Sequence, residues 1–389
     1  MNNGAIIHLN KPVFFISTTS FMDKGNSMTN LLANPLNLNG FAFIEFVTDN
    51  PEALSTLFAS LGFTCVAHHR HRAISLFRQN NINFLVNNTA TGFPRTFLQE
   101  HGAGACGMGF YVKDAHQAYE QALLSGARPA EQAANPGEIQ VPAIEGIGGS
   151  KIYFIEKYHS DIDIFDIEFS FIPGVEKNPK GFGLHTIDHL TNNVYQGRMD
   201  YWSEFYSRIF NFQQIRYFDI AGEYTGLHSK AMVAPDGKIR IPLNEEAEGS
   251  NGQIQEFLRR FNGEGIQHIA MQTDDILTTL DQLRQAGLPL MTAPSDTYYQ
   301  MVEERLPGHG RDIVALQKRG ILLDGNTHNG QKKLLLQIFS ETLIGPLFFE
   351  FIERDGDEGF GEGNFKALFE SMERDQLARG EIKVTTEAV

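Results

Sequence analysis

The 389-residue sequence predicts an α+β protein that consists of two related modules. Strand-like and helix-like segments recur in the same order in the two halves, and three pairs of segments correspond. Each half follows the pattern β-α-β…β-α-β…β, in which strands outnumber helices. We expect such strands to wrap into an open, cupped sheet in each module.

The first pair of corresponding segments is a strand followed by a helix. Residues Phe41–Val47 (FAFIEFV) are strand-like, and residues 49–52 (DNPE) carry the cap, proline and acid that begin a helix. In the second half, residues 184–191 (LHTIDHLT) are strand-like. The helix after them places apolar side chains at helical spacing from Met199 to Ile209. Both modules are therefore predicted to begin with the same unit.

The other two pairs follow in the same order. Residues 107–114 (GMGFYVKD) and residues 268–275 (HIAMQTDD) are strands, and each leads into a helix of the same length that ends at a glycine. Residues 151–157 (KIYFIEK) resemble residues 348–354 (FFEFIER), and each is predicted to be the last strand of the repeated pattern in its half. Three correspondences in one order indicate an internal repeat.

These elements predict the domain boundaries. We expect a leader at 1–37, a first module at 38–157, a linker at 158–183 and a second module at 184–389. The linker contains an acidic run and a turn-rich stretch. Residues 363–379 (GNFKALFESMERDQLAR) predict a C-terminal helix, with apolar side chains on one side, that closes the site of the second module.

Composition excludes several classes of function. The chain has 47 acidic and 32 basic residues, a net charge of −15, and 42% hydrophobic residues. This excludes a mainly disordered chain and argues against nucleic-acid or anionic-membrane partners, which need basic patches. No apolar run is long enough to span a membrane. Cys65 and Cys106 are too few for a secreted disulfide framework, so we expect a cytoplasmic protein.

Alignment of the two halves identifies a candidate metal site. Three strand positions of the first half are aligned with three of the second: Phe46 with His189, Gly107 with His268, and Tyr153 with Glu350. Two histidines and one carboxylate are typical of non-haem Fe(II) oxygenases. A single histidine is more often an ordinary strand residue, but a glutamate inside the apolar run 343–352 is costly unless it is paired or bound to metal. Zinc is less favoured, because the chain lacks an HExxH segment.

Other residues are predicted to line the same site. Strand alternation places three side chains toward the metal: Phe348, Gln337 and Phe339. The glycine-rich segment 359–365 (GFGEGNF) closely follows Glu350. Such a loop can fold Phe360 and Phe365 over the site as part of a lid.

Five segments carry a resemblance to a known family. They are residues 187–191 (IDHLT), 241–245 (IPLNE), 265–270 (GIQHIA), 348–354 (FFEFIER) and 359–365 (GFGEGNF). In order and spacing they resemble the bacterial form of the 4-hydroxyphenylpyruvate dioxygenase family. That family belongs to the vicinal-oxygen-chelate superfamily, whose domains are paired βαβββ modules. The resemblance extends from residue 38 to the end of the chain.

The resemblance implies a ligand set, a pocket and a reaction. It implies Fe(II) held by His189, His268 and Glu350 in the second module only. The positions that match the substrate pocket of the family are Ser229, Asn244, Gln253, Gln337, Phe339, Phe348, Phe360, Asn364 and Phe365. The implied reaction of tyrosine catabolism converts 4-hydroxyphenylpyruvate and O₂ to homogentisate and CO₂, by oxidative decarboxylation, ring hydroxylation and side-chain migration. A homo-oligomer, dimer or tetramer, is also expected.

Two alternatives remain open at this point. The first is 4-hydroxymandelate synthase, which is similar, uses the same substrate and ligands, and hydroxylates the benzylic carbon. Pro242, Asn244 and Phe360 match the homogentisate-forming branch better. The second alternative, from another class, is a non-catalytic vicinal-oxygen-chelate protein that binds an aromatic ligand. Such a protein does not need the complete set of metal ligands.

Overall fold

The structure is a computed structural model that describes residues 33–131, 138–157, 162–221, 225–250, 252–328, 331–365, 376 and 379–380. The predicted leader and C-terminal helix lie largely outside the described residues. The described part of the chain contains two eight-stranded sheets, one in each half. In this part, no helix is both long enough and apolar enough to cross a membrane.

The first sheet has the strand order β6-β7-β5-β1-β4-β3-β2-β8. Its strands are β1 (Phe41–Val47), β2 (Thr64–His69), β3 (Ile74–Gln79), β4 (Ile82–Asn87), β5 (Gly104–Val112), β6 (Ala143–Glu145), β7 (Lys151–Glu156) and β8 (Phe169–Phe171). Its helices are α1 (Pro51–Ser60), α2 (Phe93–His101), α3 (Ala115–Leu124) and α4 (Ile164–Glu168). As the sequence predicts, α1 begins after a cap: the Asn50 side chain accepts a hydrogen bond from the Ala53 amide.

The second sheet has the order β10-β11-β12-β9-β13-β16-β15-β14. Its strands are β9 (Thr186–Val194), β10 (Gln213–Ala221), β11 (Gly226–Val233), β12 (Arg240–Glu246), β13 (Gly265–Gln272), β14 (Leu322–Asn326), β15 (Lys333–Phe339) and β16 (Phe348–Asp355). Its helices are α5 (Met199–Phe210), α6 (Gln253–Phe261), α7 (Ile276–Gln285), α8 (Asp296–Arg305) and α9 (Ile313–Arg319). The mixed α+β architecture of two repeated modules is confirmed.

The two sheets also share their strand register. Across β1, β5 and β7, one row of paired residues is Phe43–Gly109–Tyr153 and the next is Glu45–Gly107–Lys151. Across β9, β13 and β16, the rows are His189–Ala270–Glu350 and Thr191–His268–Phe348. A register shift follows Glu45 in one module and Thr191 in the other. The rows can therefore be superimposed residue by residue.

This register corrects one alignment made from the sequence. The counterpart of His189 is Phe43, and the expectation that Phe46 stands opposite His189 was wrong. Phe46 points to the other side of the sheet, where its ring packs 5.2 Å from Phe58. Because the FAFIEF segment carries aromatic residues on both faces of its strand, sequence similarity alone does not fix the register.

The segment between the modules also differs from the prediction. Residues 158–183 were expected to be a linker, yet they contain α4 and β8. Strand β8 pairs antiparallel with β2, so it belongs to the first sheet, which extends beyond the predicted end at residue 157. Asp163 and Asp166, part of the predicted acidic run, form a capping box that begins α4. The acidic residues that suggested a linker therefore cap the start of a helix.

Candidate active site

Three adjacent strands bring together His189, His268 and Glu350. All three side chains are buried, and the structure places their ligand atoms at one point. His189 Nε2 lies 3.1 Å from Glu350 Oε2 and 3.3 Å from His268 Nε2, and His268 Nε2 lies 3.4 Å from Glu350 Oε2. Ala270 separates His189 from Glu350 in the row across the sheet, and its small side chain leaves room between them.

Hydrogen bonds orient both imidazole rings. Nδ1 of His189 donates to Asp188 at 2.8 Å, and Nδ1 of His268 donates to Gln267 at 3.0 Å. With the proton on Nδ1, each Nε2 presents a lone pair toward the third ligand. A ring nitrogen fixed in this way by an outer acceptor is the usual arrangement of a metal-binding histidine.

The electrostatics of the site keep the glutamate ionised. Burial opposes ionisation of Glu350, but His189 and His268 more than offset burial and hold the pKa of Glu350 at about 2. Burial also disfavours the charged form of His189, yet Glu350 and Asp188 outweigh burial and raise the pKa of His189. Burial lowers the pKa of His268. Glu350 is therefore ionised at neutral pH.

These residues fit a metal ion. Two imidazole nitrogens and a carboxylate oxygen converge on one point, and these are ligand types that divalent transition metals bind. Ligand atoms bound at about 2.1 Å to one ion lie about 3.0 to 3.4 Å apart in octahedral or tetrahedral geometry. The three observed separations match this range. Among the described residues, no other group of His, Cys, Asp and Glu is arranged to hold a metal.

An ion-pair cluster supports the first ligand from behind. Asp188 accepts two hydrogen bonds from Arg354, at 2.7 and 2.8 Å, and one from Arg240 at 3.2 Å. Burial disfavours the carboxylate of Asp188, but Arg354 and His189 outweigh this and hold its pKa well below the ordinary range. A permanently charged acceptor thus fixes the ring of His189.

A pocket opens next to the three ligands, and all nine predicted substrate residues line it. They are Ser229, Asn244, Gln253, Gln337, Phe339, Phe348, Phe360, Asn364 and Phe365. The Phe348 ring stacks on His268 with centroids 4.8 Å apart, and the Phe360 ring meets His189 edge-on at 5.4 Å. Phe218, which the sequence did not suggest, packs 4.9 Å from Phe365. Aromatic rings therefore surround the ligand cluster.

Amide side chains connect the third ligand to the glycine-rich loop. Gln337 Nε2 donates to Glu350 at 2.7 Å, and Gln337 Oε1 accepts from Asn364 at 2.8 Å. Gly361 has a φ of +80°, and a Cβ there would lie 1.9 Å from Gln337 Oε1. Only glycine allows the loop to approach this closely. Gln253 Oε1 is buried and has no hydrogen-bond partner in the described part of the chain, so it can accept from a ligand.

Sequence reasoning missed several residues of this site. Asp188 and Gln267 each precede a predicted ligand, and that adjacency was a usable signal, because metal-bound histidines generally hydrogen-bond through their other nitrogen. The remaining unpredicted lining residues are Thr191, Phe218, Ile220 and Leu227. Nothing in the local sequence distinguishes Phe218 or Ile220 from ordinary strand residues.

Two repeated sheets, with a buried His-His-Glu group in the second of them among the residues that the structure describes, define a tandem vicinal-oxygen-chelate protein. Comparison with known proteins agrees with this class. A family model described as "Hydroxyphenylpyruvate dioxygenase, HPPD, N-terminal" matches residues 32–170. A second, described as "Glyoxalase/Bleomycin resistance protein/Dioxygenase superfamily", matches residues 186–307.

Individual relatives narrow the assignment. The chain is 57% identical to 4-hydroxyphenylpyruvate dioxygenase from Pseudomonas sp. (strain P.J. 874), over 90% of this chain and 98% of that protein. The chain belongs to the 4-hydroxyphenylpyruvate dioxygenase family, and it is an enzyme of the dioxygenase class.

Two solved structures are similar in fold. One is a xylose isomerase-like TIM barrel/4-hydroxyphenylpyruvate dioxygenase fusion protein, with a TM-score of 0.73 and 27% identity, covering 88% of this chain. This chain spans about half of that fusion protein, 54% of its length. The other is a mutant of 4-hydroxymandelate synthase from Streptomyces coelicolor, with a TM-score of 0.74 and 23% identity, covering 88% of this chain and 100% of that one.

Proposed function

We propose that this enzyme binds Fe(II) through His189, His268 and Glu350 and converts 4-hydroxyphenylpyruvate and O₂ to homogentisate and CO₂. The observation that carries the proposal is the convergence of these three ligand atoms at the wall of a pocket lined by aromatic rings. A relative that is 57% identical and named for this substrate supports it. Iron(II) bound there would supply the chemistry of O₂ activation and leave coordination positions open for a 2-oxo acid.

The side chains of the pocket would position the substrate. Phe339 and Phe360 supply aromatic faces for the substrate ring. Both side chains are buried, and they would keep bulk water away from the reacting atoms. Ser229, Asn244 and Gln253 offer hydrogen bonds along the β11–β12 and α6 side of the pocket. Gln337 and Asn364 form the opposite polar wall, and Gln337 also restrains Glu350. In this assignment the protein contributes orientation, electrostatics and exclusion of water.

The direct test is a single-turnover reaction. The purified protein is loaded with Fe(II) without oxygen, mixed with 4-hydroxyphenylpyruvate, and exposed to O₂, and the product is separated by chromatography. Homogentisate as the product supports the proposal. 4-Hydroxymandelate would instead establish the synthase alternative, and binding without turnover would indicate an aromatic-ligand-binding protein.

The setting of the enzyme belongs to the same proposal. We infer a cytoplasmic protein, because Cys65 and Cys106 are both free thiols in the structure. A homo-oligomer, with neither a nucleic acid nor a membrane as partner, is the assembly we propose. Light scattering coupled to size-exclusion chromatography measures the oligomeric state directly.

A further inference from the structure

A second cavity lies in the first module, on the sheet face that corresponds to the active site. Its volume is about 410 Å³, which suits a small organic molecule. Five aromatic rings line it, from Phe43, Phe93, Tyr153, Phe165 and Phe169. Two of them, Phe43 and Tyr153, occupy the positions that His189 and Glu350 occupy in the second module.

A buried carboxylate faces this cavity. Glu45 is 4% exposed and stands at the position of Thr191 in the second module. It accepts hydrogen bonds from Asn87 at 2.6 Å and from the Tyr153 hydroxyl at 2.7 Å. Gly107 makes room for this group, because a Cβ there would lie 3.1 Å from Glu45 Oε2. The first module thus places a carboxylate beside the space where the second places the ring of His268.

Two basic side chains, Arg72 and Lys151, also line the cavity, and both are attracted electrostatically to Glu45. Arg72 pairs with Glu138 as well, and Lys151 donates to the Glu131 carbonyl and lies 4.2 Å over the Phe93 ring. Carboxylates nevertheless outnumber these two cations on the cavity wall, which carries Glu45, Glu131, Glu138 and Glu168. A further cation in the cavity would therefore be stabilised.

A second carboxylate strengthens the negative character of the cavity. Glu168 is buried on the same wall, where it accepts a hydrogen bond from the Ile139 amide at 3.0 Å. His69 lies 3.6 Å from Glu168, but burial lowers the pKa of His69, so its ring is neutral at pH 7. Carboxylates combined with aromatic faces are the combination that recognises organic ammonium groups.

We propose that the cavity of the first module binds a small organic cation, a primary ammonium group on an aromatic body, with Glu45 as its counter-ion. The rings of Phe43, Phe165 and Phe169 would contact the apolar body, and the ammonium would donate to Glu45. An inorganic cation is not favoured, because the three positions equivalent to the metal ligands hold Phe43, Gly107 and Tyr153. The site is separate from the proposed dioxygenase reaction.

The test compares three probes of similar size and shape that differ in charge. Isothermal titration calorimetry of the full-length, Fe(II)-loaded protein at pH 7 is performed with 2-phenylethylamine, 2-phenylethanol and 3-phenylpropanoate. We expect the amine to bind about tenfold or more tightly than the alcohol, and the anion to bind most weakly. Equal binding of the three probes, tighter binding of the anion, or binding of none of them would overturn the proposal.

Two variants locate the binding. Glu45→Gln keeps the size of the side chain, and its amide can still accept from Asn87 and donate to the Tyr153 hydroxyl oxygen. It should weaken amine binding about tenfold without a large change in the melting temperature. Phe360→Ala alters the pocket of the second module and should leave amine binding unchanged. If Phe360→Ala abolishes binding, or Glu45→Gln does not weaken it, the amine occupies another site and the proposal is wrong. The comparison of probes on the unmodified protein decides the question even if Glu45→Gln fails to fold.

Discussion

At the scale of single residues, the three proposed metal ligands are held by partners that determine which atom of each faces the common point. Asp188 and Gln267 accept from the Nδ1 atoms, and Gln337 donates to Glu350, so each ligand has one side restrained. The remaining acceptor atoms lie within 3.4 Å of one another. Two imidazoles and a carboxylate at these separations match the ligand set of a divalent cation. Binding of metal is therefore expected to stabilise the folded protein.

The first prediction concerns Glu350. Glu350→Ala removes the only negative ligand and should lower Fe(II) affinity by more than about 100-fold, with a comparable loss of turnover, while the fold is retained. Metal content by mass spectrometry and circular dichroism measure the two effects. Glu341→Ala, an exposed glutamate on the same part of the chain, is the matched control and should keep iron and activity. A fully active Glu350→Ala protein that lacks iron would refute the ligand assignment.

The second prediction concerns Phe360, whose ring meets His189 edge-on at 5.4 Å. Phe360→Ala should retain iron but slow ring oxidation by about 10- to 100-fold or change the ratio of products, because the substrate ring loses one wall. Product chromatography and metal analysis distinguish this from a loss of metal. An unchanged rate together with an unchanged product ratio would count against a role in steering the ring.

Glu350 could be predicted from the sequence, because a charged residue inside the apolar run 343–352 stands out. Correspondences that depend on strand register could not be predicted. The alignment of Phe46 with His189 failed because β1 and β5 contain register shifts that only the hydrogen-bonded pairs reveal. The roles of Asp188 and Gln267 depend on side-chain direction, which adjacency in sequence suggests but does not specify.

At the scale of elements, Arg354 joins the end of β16 to both β9 and the following loop. Besides its two bonds to Asp188, it donates to the carbonyls of Asp357 at 2.9 Å and Gly359 at 2.7 Å. Phe360 follows directly, and its carbonyl accepts from Gln337 at 3.2 Å. The Arg354 guanidinium therefore fixes the position of Asp188, which orients His189, relative to the start of the glycine-rich loop.

The third prediction tests this connection. Arg354→Lys keeps the charge, but its single ammonium has three donors and cannot replace the four hydrogen bonds of Arg354, including the bidentate pair to Asp188. Fe(II) affinity and turnover should therefore fall about 10- to 100-fold. Arg311→Lys is the matched control, since Arg311 pairs with Glu353 and Asp355 of the same strand, away from the pocket. Metal titration and steady-state rates check both variants. Equal effects of the two substitutions would mean that Arg354 has a structural role only.

The sequence predicted the glycine-rich segment as a loop over the site, and residues 359–365 do line the pocket through Phe360, Asn364 and Phe365. It could not predict that Gln337 hydrogen-bonds this loop, because that contact depends on the close approach that Gly361 permits. It also placed a linker where α4 and β8 form. A three-residue edge strand is too short to leave a periodic signal, and β8 is defined by its pairing with β2.

At the scale of the whole molecule, the two modules share one hydrophobic core. Phe110 of β5 packs edge-on against Phe210 of α5 at 5.6 Å, and Phe84 of β4 lies 6.2 Å from Phe349 of β16. Buried residues from both halves form a single contiguous cluster. The sequence repeat predicted two modules, but it carried no information on whether their cores are separate, because that depends on which outer faces meet.

The fourth prediction follows from this shared core. The full-length protein should unfold in one cooperative transition, and Phe210→Ala, at a fully buried position, should lower the free energy of unfolding by about 3–5 kcal/mol. Leu124→Ala, at a side chain that is 83% exposed, should change it by less than about 0.5 kcal/mol. Denaturant titration followed by both fluorescence and circular dichroism measures these values. Two separate transitions would show that the modules unfold independently.

The matching rows of the two sheets bear on the history of the chain. Backbone hydrogen bonds hold the register, so after a duplication the side chains on the inner face were open to replacement without rebuilding either sheet. One copy carries His189, His268 and Glu350 on that face, and the other carries Phe43, Gly107 and Tyr153 at the same places. The strand register is common to both sheets, so side chains on the inner face of each sheet could be substituted independently, one residue at a time.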